Sequence, residues 1–238
     1  MSQSSTEVKS EFDAYAAEYD AMLAHGISIS GEDKNYFANG RAAWLARCLA
    51  RLQKHPVTAM DFGCGTGSST PFLLNELDLD SLLGVDASVE SLAVAQRTYG
   101  SDRVRFVPLP EYHPTVPPDL VFCNGVFHHI PPEDRGAAVD FVYSSLRPGG
   151  LFAFWENNPW NPGTRYVMRR IPFDRNAITL SPPVARSLLR GRGFAVMRTD
   201  FLFFFPRRLS WLRPMEPHMT WVPMGAQYQI LCQKPDKI

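Results

Sequence analysis

Asp61, Gly63, Gly65 and Gly67 stand at alternate positions in "AMDFGCGTGSSTPFLL" (59–74), where an apolar run gives way to a helical pattern. A glycine-rich turn at such a junction lets a nucleotide approach bare backbone N–H groups. The spacing narrows which nucleotide. A dinucleotide fingerprint needs Gly-x-Gly-x-x-Gly or a final Ala, and here Ser68 occupies that third position. A P-loop needs a lysine after its glycines, and none follows. Further on, Asp86 ends a second apolar run in "LLGVDAS". An acidic side chain at a second-strand tip is placed to accept both hydroxyls of an adenosine ribose. Asp86 alone would equally cap the helix beginning near Ser88. The glycine turn beside it favours the ribose.

These residues need a scaffold, and the pattern supplies one. Short apolar runs at 57–62, 81–86, 103–107, 119–123 and 150–155 alternate with helical patterns near 68–77, 88–98, 133–146 and 182–191. Such alternation predicts parallel βαβ units and a sheet covered on both faces. Pro148, Gly149 and Gly150 stop one helix before the fifth strand, as helix punctuation does. Segments 194–205 and 226–234 then read as strands with no helix between them, an antiparallel pair closing the sheet's edge. Ahead of the core, 7–24 places Phe12, Tyr15, Tyr19 and Leu23 at helical spacing, and 36–53 carries Trp44, Leu45, Cys48, Leu49 and Leu52 on one face. Two Pro-rich stretches, 157–176 and 206–225, read as irregular segments forming a lid or substrate wall.

Composition bounds the rest. The chain has 238 residues, enough for one large domain with its own core. Its 24 basic and 24 acidic residues cancel, and without a basic excess a nucleic-acid partner is disfavoured. The four cysteines form no Cys-x-x-Cys pair, so neither a metal site nor a disulfide framework is expected, only buried free thiols. The polar, acidic N-terminus is no signal peptide. No apolar run reaches the roughly 18–20 residues of a spanning helix. A soluble, cytoplasmic protein without stable membrane insertion is the expectation.

"MDFGCGTGSSTPFL", "LLGVDASVESLAVAQ", "DLVFCNGVFHHI" and "LRPGGLFAFWE" closely resemble successive motifs of the class I S-adenosylmethionine-dependent methyltransferases. Four motifs in the right order cover roughly residues 40 to 195. The resemblance implies an α/β, Rossmann-like seven-stranded sheet with an antiparallel C-terminal strand and an N-terminal helical cap. Residues 1–55 would form that cap over the cofactor, and 56–238 the core with wall segments 157–180 and 206–225. S-adenosylmethionine is the implied cofactor and S-adenosylhomocysteine its product. Asp61, Gly63, Gly65 and Gly67 would cradle the methionine end, Asp86 the ribose, and Ala87 would lie beside the adenosine. Asn124 and Gly125 would offer backbone to the ammonium end. Tyr15 and Tyr19 resemble a helix that covers the cofactor, with packing onto the sheet as the competing explanation. One departure concerns the adenine amine: "VPLPEYHP" offers only a displaced Glu111.

Methyl transfer from a sulfonium needs a nucleophile held in line and water kept out. A nucleophile of high pKa also needs a base, a step worth about 10²- to 10⁴-fold. His128 and His129 follow the fourth strand, where the family's reacting methyl sits, although "HHI" is frequent there in members that do not use it as a base. Glu156, ending the fifth strand, is the second candidate, as base or substrate anchor facing the crevice. "NNPW" (157–160) resembles an amide-nitrogen methyltransferase signature but stands after the wrong strand. Trp155, Trp160, Arg165, Tyr166, Arg169 and Arg170 would wall an aromatic, glycosyl or phosphorylated acceptor, unless they belong to a plain solvated loop. "FLFFFPRRLSWLR" (201–213) would begin in the outermost, reversed strand, where a run apolar on both faces needs cover. The 206–225 loop, a homodimer partner through 194–213, or a lipid-bearing substrate would supply it. The leading expectation is a small-molecule methyltransferase, O-directed, in natural-product or glycan tailoring. A non-catalytic cofactor-binding sensor or assembly protein is the alternative, and a nicotinamide oxidoreductase is disfavoured by the glycine spacing.

Overall fold

The computed structural model describes residues 19–113, 116–175 and 177–236. Tyr15 and Phe12 lie outside them, and Tyr19 is the first described residue, its side chain not included. Two helices, α1 (Tyr19–Ile27) and α2 (Lys34–Arg51), precede the sheet. Asp33 caps α2 by accepting the N–H of Tyr36 at 2.8 Å. Then come β1 (Thr58–Phe62), α3 (Thr70–Leu77), β2 (Ser81–Asp86), α4 (Val89–Tyr99), β3 (Val104–Pro108), β4 (Leu120–Asn124), α5 (Arg135–Ser145) and β5 (Leu151–Asn157). The chain continues through α6 (Pro162–Arg170), α7 (Pro182–Gly191), β6 (Ala195–Leu202), α8 (Glu216–Met219) and β7 (Gln227–Gln233).

The strands form one sheet in the order β3-β2-β1-β4-β5-β7-β6. Apolar side chains on both faces of β4 and β5 explain why these strands read as unbroken hydrophobic runs. On one face Met60, Val121 and Phe152 pack with Val139 and Val142 of α5 and Ala185 and Leu189 of α7. On the other, Ala59, Phe122 and Trp155 pack with Trp44, Leu45 and Cys48 of α2 and Leu73 of α3. All four cysteines are free and buried. Strand order reverses between the parallel strands β1 and β4, with β2 and β3 wound to one side and β5 to the other. In open α/β sheets the ligand crevice lies at that switch point, beyond the strands' carboxyl ends.

Three sequence expectations change. The outermost strand is β6, which runs with the parallel set, and the reversed strand is β7 just inside it. Strand β6 stops at Leu202 because Phe203 takes φ +62. The apolar run finds cover within the chain: Phe201 stacks near Trp160 and Tyr228, and Phe203 packs edge-on to Phe37 and against Tyr36. The Pro-rich stretches are not irregular. Asn161 accepts the N–H of Thr164 and starts α6 with Pro162 in the first turn, where a proline is tolerated. A 3₁₀ run (Arg207–Met215) and α8 organise the second stretch. Among the described residues no helix is long and apolar enough to cross a membrane.

Candidate active site

The glycine turn leaves β1 under tight constraint. Gly63 (φ +73) could carry no side chain, because a Cβ would strike Val126. The amides of Gly63 and Cys64 donate to the carbonyl of Val85 at 2.8 and 3.1 Å, fastening the turn to β2. Gly65 (φ +52) has open space where a Cβ would stand. Gly67 (φ +76) faces the other way, against Ala95, Tyr99 and Phe106. Its absent side chain allows helix and strand to close. Asp86 joins these pieces: Oδ2 accepts the N–H of Gly65 and Oδ1 that of Ser88, both at 2.8 Å. Ser88 in turn caps α4 by accepting the N–H of Ser91.

A cavity of about 490 Å³ opens beside this turn. Asp61, Gly63, Gly65, Asn124 and Gly125 line its sheet side, and His128, His129 and Asp174 another part of its wall. Ile27, Tyr36 and Arg41 close it from the N-terminal helices, and Phe203, Phe204 and Phe205 from the end of β6. Gly67, Asp86, Ala87 and Glu156 stand outside the lining. Of the expected aromatic and basic wall, Tyr166 lines the cavity while Trp160, Arg165, Arg169 and Arg170 do not. Trp155 is core: it is fully buried between the sheet and α2.

The sheet side of the cavity is chemically incomplete without a ligand. Asn124 Oδ1 is buried with no hydrogen-bond partner among the described residues. Asp61 is almost fully buried, and burial, reinforced by Asp86 and opposed by Arg41, lifts its carboxyl to about 7. An unmatched acceptor and a buried acid on one wall suit a ligand that brings an amine cation. The bare face of Gly65 admits close approach. The residues present therefore fit the methionine end of S-adenosylmethionine.

Glu156 does not face the crevice. Its side chain is fully buried, accepts the N–H groups of Phe127 (2.8 Å), His128 (3.3 Å) and Asn157 (3.3 Å), and meets His128 Nδ1 at 2.6 Å. Strand β5 is covered on both faces, so a polar side chain at its tip can turn inward where donors await it. Asp174, in a short 3₁₀ turn after α6, completes the group: Oδ1 lies 3.5 Å from His128 Nε2 and 3.3 Å from His129 Nε2. The imidazole rings of the two histidines lie 4.1 Å apart. Burial disfavours charge on His128, but Glu156 and Asp174, one at each ring nitrogen, outweigh it and push its pKa up to about 10. Burial likewise raises Asp174, yet hydrogen bonds from His128 and His129 leave its carboxyl below the ordinary value. His128 is thus an imidazolium at neutral pH. His129, with 18% of its side chain exposed, is the more accessible of the two histidines lining the cavity. The sequence reading missed Asp174; its one signal was an acid within the wall segment.

Sheet order and glycine turn give a seven-stranded α/β fold of the Rossmann-like methyltransferase type. Residues 60–152 match the family model for a methyltransferase domain. A trans-aconitate 2-methyltransferase of Azoarcus sp. is 30% identical over 144 residues, 59% of this chain and 56% of that relative. The chain spans about half the length of the curated relatives it matches first. A Haloferax volcanii methyltransferase chain solved with the Trm112 activator superposes with a TM-score of 0.66 at 19% identity, covering 96% of this chain and 99% of that one. Human N-acetylserotonin methyltransferase, solved with S-adenosylmethionine, superposes at 0.63 and 15% identity over 94% and 59%. Residues 60–152 are thus similar to a methyltransferase domain, and the fold around them is shared with solved methyltransferases.

Proposed function

We propose that this protein transfers the methyl group of S-adenosylmethionine to an oxygen of a small, largely apolar acceptor. The observation that carries this reading is the two-sided cavity: an amine-accepting sheet wall at the switch point, and a histidine–carboxylate cluster elsewhere in the same wall. When bound, the cofactor supplies an electrophilic methyl on a sulfonium. Asp61, Asn124 and the backbone of Gly63, Gly65 and Gly125 would hold its methionine end, while Asp86, which fixes the turn, would anchor the ribose. Ala87 would lie beside the adenosine, and α1, which begins at Tyr19, would form the cap with α2. Gly67 serves the turn's packing.

On the acceptor side His129 takes the proton of the incoming hydroxyl, with Asp174 holding its ring and stabilising the cation that forms. His128 is already charged, so it cannot be that base; with Glu156 it positions Asp174. The relatives' names mention trans-aconitate. Here the run Phe203–Phe205 with Pro206, Ile27 and Ile29 lines the cavity beside two cationic residues, Lys34 and Arg41. That lining favours an acceptor with an apolar body, of the natural-product kind, over a small polyacid or a glycan precursor. Incubation with methyl-labelled cofactor and parallel panels of apolar alcohols, phenols and polycarboxylates tests this. Label transfer to a hydroxyl acceptor, with kcat reduced about 100-fold or more in His129→Gln at unchanged cofactor affinity, is expected. Transfer confined to polycarboxylates, or undiminished in His129→Gln, would contradict it.

A further inference from the structure

The connection between β6 and β7 turns its apolar side chains outward. No residue between 206 and 224 is buried. Trp211 and Trp221 are 73% and 78% exposed, and Leu209, Met215 and Met224 are exposed on the same segment. Two of its charged groups, Glu216 and Arg213, face inward instead. Glu216 accepts the N–H groups of Phe204 and Phe205 at 3.2 and 3.0 Å. Arg213 donates to the Phe205 carbonyl and to Glu32, and its guanidinium lies 4.4 Å over the Tyr36 ring. Even the indole N–H of Trp221 is satisfied locally, by the carbonyl of His218 at 3.2 Å. A solvated loop has the reverse arrangement. Large exposed apolar side chains recurring along one segment, while its acid and Arg213 are satisfied internally, mark an interaction surface.

Charge identifies the partner. Arg207 and Arg208 are exposed at the head of the segment, and Glu216, its only acidic residue, is held inward. The whole chain is neutral, so this positive character is local. Tryptophan with arginine suits the boundary between lipid headgroups and acyl chains, where the ring buries its carbon face and the guanidinium meets phosphate. A two-fold dimer through the same patch would bring Arg207 and Arg208 toward their own copies with no acid of the segment to meet them. Phe204, Phe205 and Pro206, which lead into the segment, line the cavity.

We propose that residues 206–224 dock this protein on the surface of an anionic lipid bilayer, Trp211 and Trp221 entering the interface and Arg207 and Arg208 meeting lipid phosphates. Docking is peripheral and does not depend on the methyl-transfer reading. The test is sedimentation of the full chain with vesicles of phosphatidylcholine alone or with added phosphatidylglycerol, read alongside tryptophan fluorescence. Wild type should co-sediment with the anionic vesicles, shift its emission to the blue and dissociate as salt rises. Arg207→Ala with Arg208→Ala should lower partitioning about 30-fold, since each basic residue near the surface contributes about 1 kcal/mol. Trp211→Ser with Trp221→Ser should remove the blue shift while leaving cofactor affinity and melting temperature in place. Wild type remaining in the supernatant, or partitioning unaltered in both variants, would overturn the proposal. So would a concentration-dependent dimer abolished by the Trp pair, which assigns the patch to a second copy.

Discussion

His128 and His129 are adjacent in sequence and their rings lie 4.1 Å apart at a 50° tilt, yet their surroundings divide their roles. Gripped by Glu156 and Asp174, His128 keeps its proton up to about pH 10. Its folded pKa exceeds the ordinary unfolded value near ~6.5, so its stabilisation is fully present below that value. It is lost as pH rises through the folded one. Urea unfolding should therefore show stability falling between pH 7 and 10, by up to about 1.4 kcal/mol per pH unit. His128→Gln should flatten that slope, and a wild type already flat would contradict the assignment. Asp61 acts in the same direction at lower pH: raised to about 7 by burial first and Asp86 second, it folds protonated below neutrality. Its ionisation costs the ligand-free fold stability as pH climbs from the ordinary carboxylate range toward 7. If it receives the cofactor's amine, affinity for S-adenosylmethionine should rise from pH 5.5 to 7.5, with proton release visible by calorimetry in buffers of different ionisation enthalpy. Affinity independent of pH would remove Asp61 from that role. The Gly63–Gly65 turn and Asp86 were legible because one short segment holds the turn and one strand tip the acid. Asp174 was not, because nothing in the spacing of residues 128 and 174 records that the chain folds them together.

Elements were legible where hydrophobic pattern decides them. Both sheet faces are covered, so five parallel strands appear as apolar runs, and their helices follow by periodicity. Helix α6 escaped because two prolines and a glycine masked a start that the Asn161 cap makes clear. The inward turn of Glu156 escaped because period-two reasoning assumes a strand tip facing ligand, whereas the backbone donors of the loop after β4 captured it. Edge strand β6 is tied to α2 by a buried carboxylate: Asp200 accepts the Trp44 indole N–H at 3.1 Å and pairs with Arg198. Within α2, Gly40 lies against the ring of Phe203, which a Cβ would meet at 2.6 Å. Alanine normally stabilises a helix by about 1 kcal/mol over glycine. Here Gly40→Ala should instead destabilise by about 1–2 kcal/mol through overpacking, read as a lower urea midpoint. A raised midpoint would show that Phe203 yields freely, and that the β6 terminus is less constrained than its φ of +62 implies.

At the scale of the whole molecule, the cavity gathers contributions from both ends of the chain. Strand tips β1 and β4 supply the wall that holds Asp61 and Asn124, the N-terminal helices close it, and the end of β6 supplies an aromatic face. Asp86 couples these parts, because its carboxylate joins the glycine turn to the start of α4. Asp86→Asn can serve only one of its two backbone donors, so cofactor affinity should fall about 10-fold or more. His129→Ala should change that affinity far less, and equal losses would undo the division between cofactor and acceptor residues. The decisive measurement is calorimetric titration of the full chain with S-adenosylmethionine and, in parallel, NADH. Micromolar binding of S-adenosylmethionine at a single site, with no heat from NADH, is the predicted result. NADH binding, or no binding of S-adenosylmethionine at any accessible concentration, would contradict it and leave the glycine turn with a structural role alone.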